Sequence, residues 1–441
     1  MWIEEFSIEN IKCFEKQTLK LADKGAPYKW VTFLSENGCG KSTILQSIGI
    51  LMAGPDGINS LLPRPAGWLR EEDKVGKISI KVHQGLKDPG EFGDKKIRRV
   101  FGYSYHITGD KPLSIRNKVF SAPGIHENPD RALSWLRQNA FTSKGHGWFA
   151  AGYGAFRRLT RSHQIIVPTL EPQARHNNFL SQFQEDEPLA VFERWMIYLD
   201  YRIAKNGEIK DRNTMNFGIG AIDALLPDGV CYHSISPEGR IIYSVDGVKV
   251  PTISLSDGYR SILALAGDLI WRLLLAFPES ENPAHEDGVV LIDELDIHLH
   301  PLWQRDIPIK LRRVFPNIQF IVTTHSPLVA AGAGEDALTI KIIRDELGTT
   351  FQKIEDIHKY SVDKILTTEA FGLVSAYSPQ TNEKMDIYTE LYSKENKTAE
   401  EERSLADLQP EIKDIISSNS LETDLDRKID SFIEDFINDQ A

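Results

Sequence analysis

The sequence predicts an α/β protein with a mixed sheet, and three observations carry that expectation. First, Trp30-Val31-Thr32-Phe33-Leu34, Val289-Val290-Leu291-Ile292 and Ile318-Gln319-Phe320-Ile321-Val322 are apolar runs with little alternation. Strands buried on both faces of a sheet look like this. Second, the first run passes through a glycine-rich segment into Thr43-Ile44-Leu45-Gln46-Ser47-Ile48, which reads as the start of a helix. Third, Ile241-Ile242-Tyr243-Ser244-Val245, Asp246-Gly247 and Val248-Lys249-Val250 give a hairpin signal.

The glycine-rich segment is Ser35-Glu36-Asn37-Gly38-Cys39-Gly40-Lys41-Ser42-Thr43. Between a strand and a helix, such spacing describes a loop whose backbone N–H groups curl around phosphate oxygens. Asn37, Gly38, Gly40, Lys41, Ser42 and Thr43 are therefore candidate nucleotide-binding residues. Lys41 would supply a point charge to the β- and γ-phosphates, and the Ser42 hydroxyl would bind Mg²⁺. The usual first glycine is replaced by Ser35, which is expected to alter the turn without removing the site. Cys39 is given no role.

The second apolar run ends in Asp293-Glu294. Two adjacent carboxylates at a buried strand end are costly to desolvate without a cation. Asp293 is accordingly the expected metal ligand beside Ser42. Glu294 is left to orient or deprotonate an attacking water. His325 stands just beyond the third run, where an imidazole can contact a γ-phosphate or that water. His298 and His300 alternate with apolar residues but have no third ligand at metal spacing, so loop packing is the expected role.

With these residues on the page, the chain resembles the ABC-type ATPases, in the soluble branch that includes RecF and the SMC proteins. Asn37 to Thr43 resembles that branch's Walker A, Asp293-Glu294 its Walker B, Leu295-Asp296 its D-loop, and His325 its switch histidine. Ser256-Asp257-Gly258 resembles the signature sequence, and Ile3 to Phe14 the hairpin that precedes Walker A. Asp257-Gly258-Tyr259-Arg260-Ser261, His298-Leu299-His300-Pro301 and Ile321 to Pro327 further resemble the defence-associated PtuA-type ATPases of Septu and some retron systems. So do Val362 to Leu366 and Glu369 to Gly372.

The resemblance implies a P-loop ABC-type ATPase core, with ATP and Mg²⁺ as cofactors. It also implies a homodimer or higher even oligomer, in which Ser256 and Gly258 of one copy cap ATP held by Lys41 and Ser42 of the other. A nuclease partner of HNH or Toprim type is implied as well. Gln84 and Gln164 are weak candidates for the family's glutamine loop.

The remaining sequence sets bounds. With 441 residues, 41% of them apolar, the chain exceeds one ordinary domain. No apolar run approaches the ~20 residues needed to span a bilayer, so no membrane association is expected. Residues 1–20 carry scattered charge and no apolar stretch of a secretory leader. Three unpatterned cysteines fit a reducing, cytoplasmic setting. Residues 1–60 and 231–382 are expected to form the core, 61–230 an inserted, mainly helical lobe, and 383–441 an acidic helical tail.

Within the lobe, Glu187 to Ala204 and Asn216 to Leu226 read as helices. Tyr153 to His163 is its most basic stretch, and arginines with aromatic neighbours suit phosphate backbones, although a solvated surface reads equally well. The overall formal charge of −12 argues against a broad nucleic-acid surface. Residues 383–441 hold 17 acidic and 7 basic side chains, or 7 − 17 = −10. Leu421, Leu425, Ile429, Phe432, Ile433, Phe436 and Ile437 recur there at helical spacing. Asp424-Leu425-Asp426 lacks the apolar strand of a Toprim acid pair, so the chain is not expected to be a nuclease itself. The expectation is an ATP-gated subunit of an anti-phage defence complex that controls a separate nuclease. The alternative is a RecF-like repair ATPase that binds nucleic acid directly; a transporter subunit fits poorly.

Overall fold

A computed structural model of the chain describes every residue except 86–87, 89–99, 116–117, 143–146, 158–173, 185–190, 346–347, 374, 376, 395 and 420–441. The three apolar runs are three of the four inner strands of a six-stranded sheet. Its spatial order is Phe149–Tyr153, Gly288–Ile292, Ile318–Thr323, Trp30–Leu34, Leu338–Asp345 and Gly348–Ile354. All neighbours pair in parallel except the last two strands, which pair antiparallel. The sheet is mixed, as expected. Its register sets Tyr153 beside Ile292, Ile292 beside Val322, and Thr323 beside Phe33. The loops after these four strands therefore leave at one edge, where open α/β sheets bind ligands.

Both faces of this sheet are covered, which is why its strands do not alternate. Val31, Phe33, Val289, Leu291 and Ile321 point to one core with Ile44, Leu45 and Ile48 of the helix Lys41–Ala53. Trp30, Val290, Ile292, Phe320 and Val322 point to the other, with Ile262, Leu265 and Leu269 of the helix Asp257–Ala276. Outside the first core lies an antiparallel sheet ordered Gly124–Glu127, Val100–Thr108, Gly76–His83, Trp2–Ile11 and Phe14–Lys20. It presents Phe6, Ile8, Ile78, Ile80 and Tyr105 inward.

The expected helical lobe over 61–230 needs correction. Three of its strands complete the antiparallel sheet begun by the N-terminal hairpin, and Phe149–Tyr153 is an edge of the central sheet. Gly76–His83 does alternate, with Ile78, Ile80 and Val82 buried between Lys77, Ser79 and Lys81, a half-buried strand pattern that helical periodicity masks. The helices Val191–Asn206 and Ile209–Leu225 are present, but Trp195, Met196, Leu199 and Ile222 join the same core as the helix Asp257–Ala276. Periodicity identifies an apolar face and is silent about what covers it. The hairpin at Ile241–Val245 and Val248–Pro251 forms as read, with Asp246 at φ 49° and Gly247 at φ 83° in its turn.

The chain divides into two compact units, Met1–Ile365 and Leu366–Ala441, a boundary earlier than the expected 382. In the second unit the helices Pro379–Ser393 and Ala399–Asn419 pack together, with an ion pair from Lys384 to Glu411. Ser378 caps the first by accepting a hydrogen bond from Thr381 N at 3.1 Å. The amphipathic repeat from Leu421 to Ile437 and the Asp424-Leu425-Asp426 triplet lie outside the described residues. Among the described residues no helix is long and apolar enough to cross a membrane.

Candidate nucleotide site

The loop Ser35 to Gly40 leaves the buried strand Trp30–Leu34 and enters the helix Lys41–Ala53. Gly38 (φ 77°) and Gly40 (φ 97°) take backbone angles that other residues adopt only under strain. Gly40 has a second reason. A Cβ there would lie 2.6 Å from Cys13 Sγ and 2.7 Å from the Phe14 ring. The N-terminal hairpin thus presses against the loop, and Cys13 Sγ donates to Cys39 O at 3.3 Å. Lys41 reaches back over the loop, its Nζ donating to Ser35 O (2.9 Å), Ser35 Oγ (3.0 Å) and Glu36 O (3.2 Å). Burial lowers the Lys41 pKa, opposed by Cys39, Asp293, Glu294 and Asp296.

The acid pair is held from the neighbouring strand. Thr323 Oγ1 accepts from Glu294 N at 2.8 Å and donates to the Asp293 carboxylate. Glu294 sits at φ 48°, a left-handed backbone for a residue with a long side chain. Two residues on, the Asp296 carboxylate accepts from Thr324 Oγ1 at 2.5 Å and from His325 N at 3.3 Å. The acidic loop and the histidine loop are therefore one hydrogen-bonded piece. His298 is exposed and His300 caps the helix Pro301–Val314, accepting from Leu302 N at 3.4 Å. Among the described residues no group of three or more metal-ligating side chains forms.

One cavity of about 430 Å³ collects most of the sequence-predicted residues: Asn37, Gly38, Gly40, Lys41, Ser42 and Thr43 from the loop, with Glu294 and His325 opposite. Asp293, which follows the strand Gly288–Ile292 immediately before Glu294, is not among the residues lining the cavity; its carboxylate accepts from Thr323 Oγ1. Lys12, Arg70 and Arg344 also line the cavity and were not foreseen. Lys12 lies over the Trp68 ring at 4.8 Å, and Arg70 Nη1 donates to Cys13 O at 3.0 Å. Their only sequence signal is that Lys12 belongs to the N-terminal hairpin. Arg70 and Arg344 come from loops and strands distant in the chain, which pattern reading does not connect.

Ser256 and Gly258 do not line this cavity. Ser256 is exposed and caps the helix Asp257–Ala276, accepting from Tyr259 N at 3.5 Å. Gly258 is buried, and a Cβ there would meet His298 O at 2.5 Å. Gln84 donates to Asp88 O at 3.1 Å and lies away from the cavity, while Gln164 is outside the described residues. The basic stretch is described only as far as Arg157, which is 3% exposed and so is no part of a nucleic-acid surface.

The residues present fit a magnesium nucleotide. A hydroxyl on Ser42 and a carboxylate on Asp293 are the hard oxygen donors that Mg²⁺ takes alongside phosphates. Gly38, with nothing within 4 Å of a Cβ position, leaves the loop open to close approach.

Fold and site together define an α/β protein with a glycine-rich phosphate-type loop at the ligand-binding edge of a mixed sheet. Comparison with known proteins agrees. Residues 199–331 match the family described as "AAA domain, putative AbiEii toxin, Type IV TA system". The Septu protein PtuA of Bacillus mycoides (strain KBAB4) is 28% identical over 415 residues, 93% of this chain and 50% of that protein. Septu PtuA of Bacillus thuringiensis is 26% identical over 369 residues, covering 82% of this chain and 83% of the other. The Retron Vc95 probable ATPase of Vibrio cholerae is 46% identical over 100 residues, 23% of this chain and 19% of its own length. The chain thus spans half the length of the first of these relatives and about a fifth of the last. It is similar to Septu PtuA proteins over most of its length and to a retron probable ATPase over a shorter stretch.

Proposed function

We propose that this chain binds and hydrolyses ATP with Mg²⁺ in the cavity between Lys41 and Glu294, as the ATP-gated subunit of an anti-phage defence complex. The carrying observation is that the glycine loop, Glu294 and His325, far apart in the chain, line one cavity at one sheet edge. In this reading Lys41 exchanges the carbonyls of Ser35 and Glu36 for phosphate oxygens. Loop N–H groups and the helix N-terminus add fixed positive dipoles. Ser42 and Asp293 would hold Mg²⁺, which when bound neutralises phosphate charge. Glu294 takes a proton from the water that attacks the γ-phosphorus, and the bridging oxygen leaves with ADP. His325, on a loop fixed by Asp296, contacts the γ-phosphate.

Two copies would meet head to tail, each capping the other's nucleotide with Ser256, and hydrolysis would reopen them. A separate nuclease of HNH or Toprim type is the effector this dimer would regulate, and no nuclease chemistry is assigned to the chain itself. Support comes from relatives named as Septu PtuA proteins and as a retron probable ATPase. Glu294→Gln is the direct test. Turnover should fall at least about 100-fold while ATP stays bound, because only the transition-state contact is removed. Turnover at the wild-type rate would refute the assignment of Glu294.

A further inference from the structure

We propose that Arg157 is a positioning residue for hydrolysis. It fixes the left-handed backbone at Glu294, aims that carboxylate into the phosphate cavity, and ties the aim to Ser261 on the helix Asp257–Ala276. The inference rests on the hydrolytic reading above and adds to it a residue that does not touch the nucleotide.

Arg157 follows the edge strand Phe149–Tyr153 and is buried at 3% exposure. Its Nη1 donates to Gly154 O at 2.8 Å and Asp293 O at 2.7 Å. Nη2 donates to Glu294 O at 2.9 Å and Leu295 O at 3.5 Å, and Nε donates to Ser261 Oγ at 3.4 Å. Among the described residues these acceptors are backbone carbonyls and a hydroxyl, none of them a carboxylate. An ordinary structural arginine in a core is held by an ion pair; this one is spent on the backbone of three consecutive catalytic-loop residues.

The chemistry explains why an arginine stands here. The three successive carbonyls of Asp293, Glu294 and Leu295 converge on one guanidinium across the left-handed backbone at Glu294, φ 48°. Such a conformation is strained and persists where its surroundings over-determine it. A planar guanidinium offers five donors in a rigid fork, so it can satisfy carbonyls on several sides at once; a lysine ammonium cannot. Burial brings the Arg157 pKa down to about 10, with Asp293, Asp296 and Glu294 pulling it back up, so the side chain is charged at neutral pH.

The bond to Ser261 gives the arrangement reach. Ser261 lies one helical turn beyond Gly258, and Gly258 packs against the carbonyl of His298 in the same acidic loop. The start of that helix therefore touches the catalytic loop at two points, one of them through Arg157. A shift of this helix would be felt at Glu294.

The test uses the full-length chain and the variants Arg157→Ala and Arg157→Lys, with steady-state ATP hydrolysis, binding of a fluorescent ATP analogue, and thermal melting. For Arg157→Ala, kcat is expected to fall roughly 100-fold, the scale for a group misplaced by about an ångström, with analogue affinity within about threefold of wild type. Guanidinium ion at tens of millimolar should restore at least about tenfold of the lost rate, and ammonium at equal ionic strength should not. Arg157→Lys should bind the analogue normally yet stay slow. The proposal is overturned if Arg157→Ala turns over within about threefold of wild type. It is also overturned if affinity and rate are lost together, or if guanidinium does nothing. Should Arg157→Ala not fold, Arg157→Lys decides: wild-type turnover refutes the proposal, and slow turnover with intact binding sustains it. A wild-type chain that binds the analogue but hydrolyses no ATP would instead sink the hydrolytic reading itself, a result separable from any behaviour of the variants.

Discussion

At the scale of single residues, two glycines in the same loop meet different constraints. Gly38 needs only its left-handed backbone, since nothing lies within 4 Å of a Cβ there. Gly40 needs both that backbone and the absence of a side chain, because Cys13 and Phe14 occupy the space. Gly38→Ala should therefore cost only conformational strain, about 1–2 kcal/mol. Gly40→Ala adds overpacking of a further 1–3 kcal/mol or so and should disturb the loop. Denaturant titrations of the two variants, with nucleotide binding measured on each, check this; equal losses would contradict the packing argument. The glycine spacing itself was legible in the sequence. The pressure from Cys13 and Phe14 was not, because contacts between segments far apart in the chain leave no local pattern.

Among elements, the helix Asp257–Ala276 and the edge strand Phe149–Tyr153 are joined by a buried polar cluster. Asp268 is fully buried, accepts from Tyr153 OH at 2.9 Å and pairs with Arg272, whose Nη1 also donates to Asn178 Oδ1. Breaking such a pair from one side leaves a charge uncompensated in the core and costs about 3–5 kcal/mol. Asp268→Asn keeps the shape and removes the charge, so it should lower the thermal midpoint by several degrees. A calorimetric scan indistinguishable from wild type would show the pair to be energetically idle. This strand was missed in the sequence for a physical reason: Phe149-Ala150-Ala151-Gly152-Tyr153 is short and small-residued, and its burial comes wholly from neighbours. Having missed it, sequence reading could not see that Arg157 emerges at the same sheet end as the acid pair.

Across the whole molecule, the separation of Ser256 from the cavity decides the next prediction. If each site needs the other copy's Ser256, then Lys41→Ala and Ser256→Arg should each be inactive alone. Mixed in equal amounts they should regain about a quarter of wild-type turnover. Half of randomly formed dimers pair the two variants, and each of those has one intact site of two. No recovery on mixing would rule out the composite site. The second unit, Leu366–Ala441, carries most of the chain's excess of acidic side chains, and its helix Pro379–Ser393 has no buried residue. Its charge is a property of sequence alone.

The sequence alone determined the chemistry: a glycine-spaced phosphate loop, two acids closing an apolar strand, and a histidine closing another. Those signals are local, because backbone angle, strand burial and loop composition are set within a few residues. Only the tertiary structure decided which strand ends share an edge, which half-buried strands belong to the core, and that Arg157 grips the loop bearing Glu294. Each of those depends on contacts between segments far apart in the chain, where nothing in the order of residues records which will meet.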